Sequence, residues 1–154
     1  MSRGVSSVVG VVLFVGLTVV LAATVGAVVA VDGPETVPSA RLTLTADAAT
    51  DRITLTHEGG ETLAVDALDC TVRIDGTPLV HQPPIPFFAA RGFESGPTGP
   101  FNPASEGTWS AGETASFRLA TTNHPRLSTN TRVEVTIATE SGVVARLETT
   151  PGRG

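Results

Sequence analysis

Three histidines, one cysteine and a scatter of aspartates are the side chains of this chain best suited to chemistry, and their spacing assembles none. A nucleophile needs a base that is itself held by a third group, and a metal site needs several ligands at workable spacing. His57, His81 and His124 are separate in the sequence, with neither a His-x-x-x-His nor a Cys-x-x-Cys pattern beside them. His57 keeps phase with Ile53 and Leu55 at the end of a predicted strand, where a structural hydrogen bond accounts for it. Cys70 shares the apolar face of its segment and reads as a small buried hydrophobe. As the single cysteine it excludes an internal disulfide, and no lipobox precedes it. Asp66, Asp69 and Asp75 lack the loop chemistry of calcium motifs and read as solvated turn residues. Gly59-Gly60 is followed by no lysine and no helix, so it makes no phosphate loop. None of Asn102, Asn123 or Asn130 begins an N-glycosylation sequon. The chain is therefore not expected to be an enzyme, and neither catalytic residue, metal nor cofactor is assigned.

The elements that position these residues follow from a period of two that starts at Arg41. Leu42 and Leu44 alternate with Thr43 and Thr45, and Ile53 and Leu55 with Thr54 and Thr56. Cys70, Val72 and Ile74 share one face, as do Ala115, Phe117 and Leu119. Val133, Val135 and Ile137, then Val143, Ala145 and Leu147, form the last pair, with Glu140-Ser141-Gly142 as its hairpin turn. At least six strands without a helical period predict an all-β head, an immunoglobulin-like antiparallel β-sandwich, over residues 41–150.

Residues 81–108 interrupt the pattern. Six prolines and four glycines break any regular strand there, yet Phe87, Phe88, Phe93 and Phe101 make up four of the six phenylalanines of the chain. Two readings stand: a subunit contact or adhesive surface carried by these rings, or a loop folded over its own sheet with the rings completing the core.

Ahead of the head, Val5 to Val31 is a run of 27 residues without a charge. As one long N-terminal hydrophobic α-helix it would measure roughly 40 Å, against a hydrocarbon core of about 30 Å. Arg3 precedes it and Asp32 follows, an arrangement that keeps the N-terminus cytoplasmic and puts the head outside. The run is longer than the apolar stretch of an ordinary secretory signal. Val28 and Ala30 nevertheless satisfy a small-residue cleavage rule before Val31, and an uncleaved anchor is a further reading. Within the run Gly10, Gly16 and Gly26, with several alanines, allow close helix packing.

Charge excludes one class of partner. All ten basic residues are arginine, and residues 32–154 hold nine of them against fifteen Asp and Glu, a net of −6. A lysine-free acidic surface has no means of displacing counterions from a nucleic acid backbone. It fits a protein working in high salt and equally a GC-rich genome. The mean hydropathy of +0.21 averages an apolar N-terminus and a polar head.

Three sequence features resemble one known family. Met1-Ser2-Arg3-Gly4-Val5-Ser6-Ser7-Val8-Val9-Gly10 is similar to the class III leader of archaeal, especially haloarchaeal, type IV pilins. Thr56-His57-Glu58-Gly59-Gly60-Glu61-Thr62-Leu63 with Cys70-Thr71-Val72-Arg73-Ile74-Asp75-Gly76 resembles a motif of their heads, and Trp109-Ser110-Ala111-Gly112-Glu113 resembles a second. The resemblance implies cleavage by a prepilin peptidase between Gly4 and Val5, with Arg3 before the cut. A leader of residues 1–4 then precedes a transmembrane and assembly helix (5–31), a linker (32–40), the head and a flexible tail (151–154). It further implies other pilin subunits, a pilus assembly ATPase and a membrane platform protein as partners, and a role as a major or minor pilin in surface adhesion. Bacterial relatives carry a glutamate early in the mature helix, where this chain reads Val8-Val9-Gly10. The competing reading is a monomeric membrane-anchored extracellular β-sandwich that binds a ligand.

Overall fold

The computed structural model describes residues 11–13 and 35–152. The chain divides into two units, Met1–Glu35 and Thr36–Gly154. In the first, residues 11–13 are helical and exposed. The rest of the expected helix, including Gly10, Gly16 and Gly26, and the cleavage residues Arg3, Gly4 and Val5 lie outside the described residues. Among the described residues no helix is long and apolar enough to cross a membrane.

The second unit is built of antiparallel strands around one core. One sheet joins β1 (Ala40–Asp47), β2 (Arg52–Gly60) and β7 (Thr114–Arg118) in the order β1-β2-β7. The other joins β4 (Asp69–Ile74), β5 (Thr77–Pro78), β8 (Val133–Thr139) and β9 (Gly142–Thr149) in the order β5-β4-β8-β9. A two-residue pair, β3 (Leu63–Ala64) with β6 (Thr108–Trp109), lies apart from both, and short 3-10 turns cover Val65–Ala67 and Gly99–Phe101.

The period of two translates into burial as a half-buried sheet requires. Ile53, Leu55, Ala115 and Phe117 from the first sheet and Cys70, Val72, Ile74, Val133, Val135 and Ile137 from the second turn into a shared core. Their neighbours Thr43, Thr45, Thr54, Thr56, Thr114 and Ser116 line the outer face of the first sheet, as their register with Arg52 and Arg118 requires. Side-chain hydroxyls meet there, with Thr56 Oγ1 3.1 Å from Thr114 Oγ1.

The last hairpin departs from strict alternation. A bulge between Ile137 and Ala138 pairs Ile137 with Ala145 and Ala138 with Val143, leaving Val144 as the extra residue of the bulged strand. Val144 then joins Ala145 and Leu147 against the core while Val143 stands outside, half exposed. The expected inward set Val143, Ala145 and Leu147 is corrected at its first member. Beyond β9, Pro151 is buried and Gly152 N donates to Ala46 O at 3.0 Å, in a parallel bridge with β1. Residues 151 and 152 therefore belong to the head.

The proline-rich segment holds no strand before Thr108, and it covers the core. Phe87, Phe93 and Phe101 are buried, whereas Phe88 is 61% exposed. Ring centroids run from Phe87 to Phe93 at 5.5 Å, on to Phe117 at 5.5 Å, and from Phe101 to Trp109 at 5.2 Å. Tilted and edge-on contacts of this kind add about 0.5–1.5 kcal/mol per pair beyond area burial. Of the two readings of these phenylalanines, core completion describes three, and any contact with a neighbour falls to Phe88.

Amide side chains hold this segment down. Asn123 is buried, accepts from His81 N at 3.1 Å, and donates to His81 O at 3.0 Å and Gly92 O at 3.1 Å. Gln82 presents its amide to β4 as a strand would, accepting from Val72 N at 2.7 Å and donating to Val72 O at 3.0 Å. Residues 93–98 run antiparallel to β7, with Thr98 N donating to Ser116 O at 2.9 Å and Glu94 N to Arg118 O at 2.9 Å, so the edge of the first sheet is covered.

Candidate functional site

The two head motifs, about fifty residues apart in sequence, meet where the chain enters β1. β2 ends in His57-Glu58-Gly59-Gly60, and the turn before β7 is Ser110-Ala111-Gly112-Glu113. His57 is fully buried. Its N–H donates to Glu113 O at 3.0 Å and its carbonyl accepts from Gly112 N at 2.7 Å. Glu113 O also accepts from Trp109 Nε1 at 3.0 Å, and the Glu113 carboxylate accepts from Ser110 N at 2.7 Å. The imidazole stands edge-on to the Trp109 ring at 5.9 Å. Each motif thus satisfies polar groups of the other that burial would otherwise leave unpaired.

From this junction the bonding passes to the entry strand. His57 Nε2 lies 2.8 Å from Glu61 O. A carbonyl only accepts, so Nε2 carries the proton, and His57 Nδ1 is buried without a partner. Glu61 then holds Ser39 twice: Glu61 N donates to Ser39 O at 2.8 Å, and Ser39 N donates to Glu61 Oε2 at 2.6 Å. Gly60 has φ +102°, and a Cβ there would collide with Ser39 O and stand 2.9 Å from Ala40 Cα. Only glycine lets the backbones approach so closely in this conformation. The result is a clasp that fastens the residue before β1 to the end of β2, with His57 as its buried pin.

The other singled-out residues do not join this group. Cys70 is buried in the core, and loss of hydration pushes its thiol up to about 12, which keeps it protonated and unreactive. Asp75 takes a left-handed conformation before Gly76 and accepts from Arg132 N at 2.8 Å. The hydrogen bonds of His81 in the covering segment are made by its backbone, to Asn123, and His124 O accepts from Val80 N at 2.9 Å. Among the described residues no group of three or more His, Cys, Asp or Glu side chains could hold a metal ion. The clasp contains no nucleophile paired with a base, so its chemistry is that of a structural junction. Sequence pattern located His57 and both motifs. It gave no sign of Ser39, or of Gln82 and Asn123, whose roles exist only once distant backbone groups are adjacent.

Residues 3–42 match the family model described as archaeal type IV pilin, N-terminal. No curated protein matches the chain. The matched stretch begins at Arg3, contains the whole uncharged run, and ends on Leu42, the first buried residue of β1. It therefore reaches just past Ser39, where the clasp takes hold. Such pilins are structural subunits, anchored in the membrane and displayed in extracellular pili. Over residues 3–42 the chain is thus similar to the N-terminal module of archaeal type IV pilins.

Proposed function

We propose that the protein is a subunit, major or minor, of an archaeal type IV pilus, processed between Gly4 and Val5 and serving in surface adhesion. The observation that carries the reading is the continuous family match from the leader through the apolar run into β1. In this reading prepilin peptidase removes residues 1–4. Residues 5–31 first anchor the subunit in the membrane and then pack against neighbouring copies through Gly10, Gly16 and Gly26. The assembly ATPase and platform protein drive that transfer.

The head supports this reading by its organisation. We read the orders β1-β2-β7 and β5-β4-β8-β9 as the A-B-E and C′-C-F-G arrangement of an immunoglobulin-like sandwich, with residues 93–98 taking the part of strand D. An extracellular filament subunit must pass tension between its assembly segment and its head. The Ser39–Glu61 bonds lie first in that path, and His57 braces them from the core.

Immunogold labelling of sheared surface filaments with an antibody against the head tests the proposal. Gold distributed along filaments is the expected result. Gold confined to the membrane, with filaments bare, would reject it and leave a monomeric anchored binding module.

A further inference from the structure

We propose that Arg52 and Arg118 form an oxyanion-binding site on the outer edge of the first sheet. The two arginines are direct partners across the β2–β7 ladder. Like charges so placed repel each other, and on its other side Arg52 faces Asp47 across the β1–β2 ladder. Within residues 32–154, whose net charge is −6, two adjacent guanidinium groups form a local cluster of cationic donors.

Each guanidinium is held by one bond that leaves its other donors free. Arg52 donates from NH1 to Ser116 Oγ at 2.9 Å, and Arg118 from Nε to Thr50 O at 3.0 Å. Both line a cavity of about 140 Å³, together with Ser116, Thr98, Gly96 and Glu94. A water occupies about 30 Å³ in the liquid, so the space admits one compact oxyanion with a few waters. Ser116 is only 3% exposed and its hydroxyl lies 2.6 Å from that of Thr98. That bond consumes one of the two hydroxyl protons, so the other is available to a ligand alongside the guanidinium donors. A planar fork of N–H groups fits a carboxylate, sulfate or phosphate oxygen pair. Glu94 is the one carboxylate lining the cavity. With Asp47 opposite Arg52 it balances the two guanidinium charges, so binding rests on the forked N–H donors and favours a single oxyanion group over a crowded polyanion.

The ligand has two possible sources with one chemistry: a free oxyanion, or a carboxylate from the acidic surface of a second copy. Titration calorimetry of the full-length protein in nonionic detergent, with chloride exchanged for sulfate or acetate at fixed ionic strength, tests the site. Saturable binding is expected, weakened about tenfold or more in the R52Q/R118Q double variant and unchanged in Arg146→Gln on the other sheet. Arg118→Gln alone, which gives up one bond to a surface carbonyl, supplies the test if the double variant does not fold. Sedimentation velocity separates the sources. Self-association that is lost in the variant and competed by sulfate identifies a neighbour's carboxylate, while anion binding by a monomer identifies a free ion. Absence of saturable binding to the wild type, together with self-association indifferent to both substitutions, would overturn the proposal, as would variants that bind as well as the wild type.

Discussion

Gly60 and Gly76 both hold left-handed backbone, at φ +102° and +81°, but in different surroundings. At Gly76 a Cβ would meet nothing within 4 Å, so Gly76→Ala carries only the conformational cost, about 1 kcal/mol. At Gly60 the same atom would run into the backbone of Ser39 and Ala40, and Gly60→Ala should cost at least about 2 kcal/mol more, because the clasp must open to admit it. Denaturant unfolding of the two variants checks the order, and equal losses would show that the clasp is not tight. Cys70 gives a pH-dependent prediction. Its thiol sits at about 12 in the folded head, against about 8.5 for a free cysteine. Between those values the unfolded chain releases a proton that the folded one keeps, so the stability is whole below about 8.5 and drains away as pH rises towards 12. Stability above pH 9 should fall more steeply in the wild type than in Cys70→Ala, measured by unfolding across that range. Burial of Cys70 was legible in the sequence because it shares an alternating apolar face with Val72 and Ile74. The double hold of Glu61 on Ser39 was not, since nothing local marks a serine in a polar linker as a partner of a residue in the next hairpin.

Long strands announced themselves, and short ones did not. β1, β2, β4, β7, β8 and β9 each carry at least five residues of alternating pattern, enough to specify a face. β3, β5 and β6 have two residues each, too few for any period, and form because neighbouring backbones offer partners. The covering segment falls between these cases. Its prolines correctly forbade strands, but its rings gave no sign of which would turn inward. That choice comes from tertiary anchors such as Asn123 on His81 and Gly92, and the antiparallel run of residues 93–98 along β7. Two substitutions separate covering from contact. Phe101→Ala removes a fully buried ring packed on Trp109 and Phe117 and should cost roughly 3–5 kcal/mol. Phe88→Ala removes an exposed ring and should change stability by no more than about 0.5 kcal/mol. Thermal or denaturant unfolding reads both, and a large loss at Phe88 would mean that the segment holds itself down through that ring.

At the scale of the whole molecule, two kinds of sequence serve two environments. An uncharged N-terminal run is followed by residues 32–154, which hold no lysine and whose acids outnumber their arginines by six. The family match spans the first and stops at the entry to the second, at the place where the clasp fastens the chain. A polymerising apolar segment attached to a firmly fastened head is the central claim, and its most direct test is the N-terminus of the protein recovered from sheared surface filaments. Sequencing by mass spectrometry should find the chain in the filament fraction, beginning at Val5. A chain beginning at Met1 or Val31, or absent from filaments altogether, would contradict the account.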